Sequence, residues 1–176
     1  DKKNLHNCAL RVEYCLKNKD ITYVDTDFDE VIKNKKKILT KICVELGISF
    51  PTNYILLAID VLQDNLYEKI SPYTGDKNIF LAEGLTPYFS LAEYSHFIDC
   101  LEPFLRLKGN IFFSQENYLK NDSFGYRLLR KLVVILTRNK SYVKFKNMEE
   151  LVSFIREKGL NNVSAYYKNK ILFYKC

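Results

Sequence analysis

Asn53–Ile70 read NYILLAIDVLQDNLYEKI, and the architecture drawn from the rest of the chain is arranged around them. Pro51 and Thr52 stand just ahead, where proline suits the first turn of a helix. The first half of the stretch is apolar almost all round, as in a helix buried on every side. These residues are therefore expected to form the third and central helix of a helical body.

Working outward, Leu5, Cys8, Ala9, Val12, Cys15 and Leu16 recur at helical spacing and predict a helix over Leu5–Lys19. ITYVD (Ile21–Asp25) reads as a short strand. Asp27 and Glu30 have the spacing of a capping box and predict a second helix, stopped by Gly47. SPYTGDKN (Ser71–Asn78) and EGLTP (Glu83–Pro87) are breaks. Ser90 and Glu93 cap a helix through about Leu107, with Pro103 bending or ending it. GNIFFS is a short strand. A further helix is expected over Gly125–Asn139.

The C-terminal part differs in pattern. SYVKF is a strand candidate, and NMEELVSFIREKG is a helix opened by Asn147 and Glu150 and closed by Gly159. VSAYY and KILFYK flank Lys168-Asn169 as a hairpin would. The fold class expected is α+β and predominantly α-helical: about six helices with a small C-terminal β-α-β-β sheet. The chain is expected to be one domain over 1–176. A subdivision near Asn139 separates a helical body (1–139) from a small α/β part (140–176).

With 176 residues and 47% hydrophobic side chains, the chain can bury a sizeable core. Its longest purely aliphatic run, Leu132–Leu136, is far short of the roughly 20 apolar residues of a membrane helix. It opens on DKKNLHNC, without Met or an apolar signal region, and reads as a segment of something longer. Five cysteines without CxxC spacing argue against a disulfide framework or a zinc ribbon and point to a reducing, intracellular compartment, cytoplasmic or nuclear.

Charge is unevenly placed. Lys and Arg against Asp and Glu give +2 over residues 1–50, −6 over 51–104 and +10 over 105–176. On a helical wheel Arg127, Arg130, Lys131 and Arg138 share one arc. Lys140, Lys144 and Lys146 continue it, with Tyr142 among them as a stacking platform. The stripe is expected to face an acidic protein or, as the alternative, the phosphates of RNA or DNA. The pI of about 8.9 lies below the usual nucleic-acid range.

Chemistry is sparse. Glu93, His96 and Cys100 share a helix face, so an enzyme site near His96/Cys100 is a further alternative. Four acids within Asp25–Glu30 lack the glycine and spacing of a calcium loop, and complement a helix N-terminus instead. No Gly-rich phosphate loop, GxSxG or HExxH occurs. No cofactor and no metal site is read.

RVEYCLKNKDITY (Arg11–Tyr23) and FLAEGLTPYFSLAEYSHF (Phe80–Phe97) resemble parts of glutathione-transferase-like domains. ILTKICVELGISFPTNYILLAIDVLQDNL is similar to two consecutive cyclin-box helices. Either resemblance implies an interaction module. The function expected is a non-catalytic binding or scaffold module within a larger assembly, more a partner for proteins than an enzyme, with no membrane contact.

Overall fold

A computed structural model describes residues 2–115, 144–160, 163–166 and 171–175, with side chains over 10–114 and 144–160. The chain divides into two compact units, Asp1–Thr74 and Gly75–Cys176. The expected subdivision point, Asn139, and the expected helix over Gly125–Asn139 lie outside the described residues.

In the first unit, helix α1 (Lys2–Lys17) leads to strand β1 (Tyr23–Asp27), helix α2 (Asp29–Glu45) and strand β2 (Tyr54–Ala58). A five-residue helix, α3 (Leu66–Ile70), and a 3₁₀ turn (Ser71–Tyr73) follow. The two strands run parallel, in register from Tyr23 against Tyr54 to Asp27 against Ala58. Asn53–Ile70 is thus a strand, a turn and one helical turn, where a continuous helix was expected. An apolar run of this length is common to buried helices and to strands covered on both faces. Every residue of β2 is at least half-buried, so its lack of alternation belongs to a strand.

Side chains at period two on the strands meet those at helical period. Tyr23, Tyr54 and Leu56 pack with Val12, Cys15 and Leu16 of α1 and with Leu39 and Cys43 of α2. Ile48 and Phe50 close the cluster, and Phe50 stacks on Tyr54 at 5.6 Å between ring centroids. At the amino end of the strands, Asn53 Nδ2 donates to the carbonyls of Cys15 (3.0 Å), Asn18 (2.9 Å) and Ile21 (2.8 Å). One amide thereby ties the exit of α1 and the approach to β1 onto the start of β2.

The second unit holds strands β3 (Ile79–Ala82), β4 (Ile111–Gln115), β5 (Val163–Tyr166) and β6 (Ile171–Lys175), in the spatial order β3-β4-β6-β5. Strands β3 and β4 are parallel, joined through helix α4 (Leu91–Leu105). The pairs β4–β6 and β6–β5 are antiparallel, and the β5–β6 pairing is the expected one. Helix α5 (Met148–Glu157) precedes β5. Parallel strands bridged by helices, with antiparallel strands at the edge, are an α/β architecture. The α+β, predominantly helical reading is corrected accordingly.

Both capping expectations in this unit hold. The Ser90 N–H donates to Glu93 Oε2 (2.7 Å) and the Glu93 N–H to Ser90 Oγ (3.3 Å). Asn147 Oδ1 accepts from the Glu150 N–H at 2.9 Å. Pro103 sits in the last turn of α4 without ending it before Leu105. Tyr94, Phe97, Ile98, Leu101, Phe104 and Leu105 on α4 are buried, as are Phe112 on β4 and Leu151 and Ile155 on α5. Asn110, fully buried, accepts from the Asn78 N–H (2.8 Å) and donates to the Phe104 carbonyl (2.8 Å), fastening the entry of β3 to the exit of α4.

Candidate functional site at the carboxyl ends of the parallel strands

Open α/β sheets take ligands beyond the carboxyl ends of their parallel strands, where backbone groups and loop side chains converge. In the first unit that edge carries acids from both strands. β1 ends on Asp27, and Asp60 lies two residues past β2, immediately after Ile59, whose N–H donates to the Asp27 carbonyl at 2.9 Å.

Strand alternation puts Asp25 and Asp27 on one face of β1. Their surroundings differ sharply. Asp25, with its side chain 10% exposed, accepts from Arg11 Nη1 (3.1 Å) and the Tyr54 hydroxyl (3.0 Å) on Oδ2, and from Lys35 Nζ (3.0 Å) on Oδ1. Burial works against the Arg11 charge, yet Tyr23, Asp25 and Tyr54 together hold its pKa above the ordinary value. Burial, and then the neighbouring Asp25 charge, push the Tyr54 hydroxyl far up, so it stays a donor. Asp25 is therefore a structural carboxylate held by three donors.

Asp27 is the open one. Its side chain is 39% exposed, its Oδ1 accepts from the Phe28 N–H (2.9 Å), and its Oδ2 lies 3.9 Å from Lys35 Nζ, an ion pair but not a hydrogen bond. Phe28, 61% exposed, stands beside it at the N-cap of α2. The expected capping role of Asp27 is shifted by this geometry: Phe28 is the cap residue, and no side chain caps the helix. Past β2, Asp60 Oδ1 accepts from the Leu62 N–H (3.0 Å) and the Asp60 N–H donates to Asp64 Oδ2 (2.8 Å). The Lys69 hydrogen bond, then the Asp60 N–H, hold the Asp64 carboxyl below its ordinary range.

In the second unit, β3 ends at Ala82 and is followed by Glu83 and Gly84, whose φ of +67° only glycine adopts without strain. The chain then enters a 3₁₀ turn, Thr86–Tyr88. Lys144 Nζ donates to the Thr86 carbonyl at 2.7 Å and lies 4.9 Å from the centroid of the Tyr94 ring.

Of the expected basic stripe, Arg127, Arg130, Lys131, Arg138, Lys140 and Tyr142 lie outside the described residues. Lys144 is engaged with Thr86 and Tyr94, and the Lys146 N–H donates to Glu150 Oε2 (2.6 Å). His96 Nε2 does approach Cys100 Sγ, at 3.6 Å, on an exposed part of α4. Burial first, and then Asp99, raise the Cys100 pKa, which is the wrong direction for a nucleophile. Among the described residues no group of three or more His, Cys, Asp or Glu is placed to hold a metal ion. No described helix is long and apolar enough to cross a membrane.

No family model and no curated protein matches the chain. Solved structures do. PigF with SAH superposes with a TM-score of 0.65 at 11% identity, over 96% of this chain and 47% of that one. A putative O-methyltransferase from Nostoc punctiforme gives 0.60 at 11%, over 93% and 46%. Human N-acetylserotonin methyltransferase in complex with SAM gives 0.56 at 12%, over 88% and 40%.

The chain shares the Rossmann-like α/β fold of these structures.

The chain spans a little under half the length of each of these structures. The glutathione-transferase-like and cyclin-box resemblances fall with the helical reading: the second of the two cyclin-box helices is β2 and the turn after it. The expectation of a non-catalytic scaffold module, and with it the leaning against an enzyme, is also overturned. Solved structures that share this fold include methyltransferases. The site missed from sequence is the edge at Asp27 and Asp60. Its signal was present in YVDTDFDEVI, a strand ending in an acid directly ahead of a helix.

Proposed function

We propose that this chain forms part of an S-adenosylmethionine-dependent methyltransferase acting on an oxygen acceptor, and that its first unit binds the nucleoside end of the cofactor. The observation that carries the reading is Asp27, an acid with its side chain 39% exposed at the carboxyl end of a parallel strand, in a chain with this fold. An acid at such a position hydrogen-bonds ribose hydroxyls in nucleotide-binding α/β folds. The residues fit the group: Asp27 accepts from the hydroxyls, exposed Phe28 offers an apolar face to the base, and the loop from Asp60 to Asp64 borders it. When bound, the cofactor supplies an electrophilic methyl group on a sulfonium. The residues of this chain bind and orient its nucleoside. The described cysteines Cys15, Cys43 and Cys100 are free thiols, which supports a reducing, intracellular setting.

Titration of the full-length protein with S-adenosylhomocysteine tests the reading. Saturable binding, weakened roughly tenfold to hundredfold by Asp27→Ala through loss of charged hydrogen bonds, is expected. Binding of a nicotinamide dinucleotide in place of S-adenosylhomocysteine overturns it.

A further inference from the structure

Asp25 and Asp27 project from the same face of β1, about 6.7 Å apart along the strand, where two carboxylates repel each other. Two cations reach them, and they do so unequally. Arg11 bonds Asp25 Oδ2. Lys35, arriving from the middle of α2 with its side chain 16% exposed, bonds Asp25 Oδ1 at 3.0 Å and stands 3.9 Å from Asp27 Oδ2. Asp25 is itself immobilised by Arg11 and Tyr54, so it fixes the Lys35 ammonium at a set distance from Asp27. The other Asp27 oxygen is pinned by the Phe28 N–H. Asp27 is thus oriented from both sides while its side chain stays 39% exposed.

We infer that Lys35 is a positioning residue for ribose recognition: anchored on Asp25, it holds the Asp27 carboxylate in the orientation that receives the ribose hydroxyls of the cofactor. The assignment rests on the nucleoside-binding reading above. Lys35 acts through Asp27 and touches no ligand atom. A plain structural ion pair would stabilise the unit without affecting which ligand is preferred. Orientation of an acceptor predicts something different, because a site built around a hydroxyl rejects the analogue that lacks it only while the acceptor is held in place.

The experiment compares S-adenosylhomocysteine with its 2′-deoxy and 3′-deoxy analogues by equilibrium binding to the full-length protein. Wild type is expected to disfavour at least one analogue by roughly tenfold to hundredfold, the loss of one hydrogen bond to a charged group. In Lys35→Met the parent ligand weakens by about that factor while the disfavoured analogue stays within about twofold of wild type, so discrimination collapses. Lys35→Arg, which keeps the charge on a long stem, restores most of it. If Lys35→Met unfolds, Lys35→Gln replaces it, and discrimination below that of Lys35→Arg is required. Full discrimination in the folded Met or Gln variant overturns the positioning role and leaves the nucleoside reading standing. A wild-type protein that binds the parent ligand without preferring its hydroxyls also overturns it. No binding of the parent by wild type overturns the nucleoside reading itself, and this assignment with it.

Discussion

Lys144 donates its ammonium to the backbone carbonyl of Thr86, 58 residues earlier in the chain, at 2.7 Å. The sequence pattern marked Lys144 as one of a row of outward cations. The folded second unit uses it as a strut between the approach to α5 and the turn that follows β3, with the Tyr94 ring alongside. Lys144→Met is expected to lower stability by about 1–2 kcal/mol, the size of one charge-assisted hydrogen bond and a cation–π contact. Thermal denaturation reads this as a fall of a few degrees. An unchanged midpoint would mean that the strut contributes nothing.

Asp25 and Asp27 are two residues apart and should fail differently. Asp25→Asn leaves Arg11 and Lys35 with a neutral partner inside a mostly buried cluster, at a cost of about 3 kcal/mol. Asp27→Asn is expected to leave denaturation almost unmoved and to weaken nucleoside binding. Urea unfolding and ligand titration of the two variants, measured side by side, separate the roles. The reverse pattern would exchange them.

Tyr54 predicts an alkaline weakness. Burial and the adjacent Asp25 raise its pKa above the ordinary value of 10.0. The unfolded chain therefore releases this proton first, and the stabilisation is present below about pH 10 and is lost as the pH climbs further. Tyr54→Phe forfeits the bond to Asp25, about 1 kcal/mol at neutral pH. It also flattens the decline above pH 10. Chemical denaturation from pH 8 to 11 shows whether the wild-type and Phe curves converge.

Cys100 stands near His96 without being activated by it. With its pKa raised by burial and by Asp99, the thiol is expected to alkylate more slowly than a free thiol at pH 8. Mass-spectrometric timing of iodoacetamide labelling checks this. Labelling faster than glutathione would restore the idea of an activated pair. Cys15 and Cys43, raised by burial in the core of the first unit, should label later still.

Local signals were the readable ones. Ser90 with Glu93, and Asn147 with Glu150, announced helices because a cap is a contact between residues three apart. The β5–β6 hairpin was legible for the same reason. The pairing of Tyr23–Asp27 with Tyr54–Ala58 spans a whole helix, and no short-range pattern reports it. ILLA alone fits a buried helix as well as a covered strand. Once that stretch is a strand, the preceding Asp27 becomes an acid at a sheet edge. Misjudging one apolar run therefore concealed both the class of fold and the site. Ile79–Ala82, four residues between two breaks, carries too little pattern to announce a strand.

Asn53 sits at the far end of the same two strands from Asp27. The strands are short, about 13 Å from first residue to last, and few hydrogen bonds set their mutual alignment. By grasping three carbonyls at one end, this amide fixes where each strand begins, and so which side chains come level at the other. A slip of one position there would turn Asp27 to the opposite face. The facing of Asp27 is thus hostage to an amide at the opposite end of the strands.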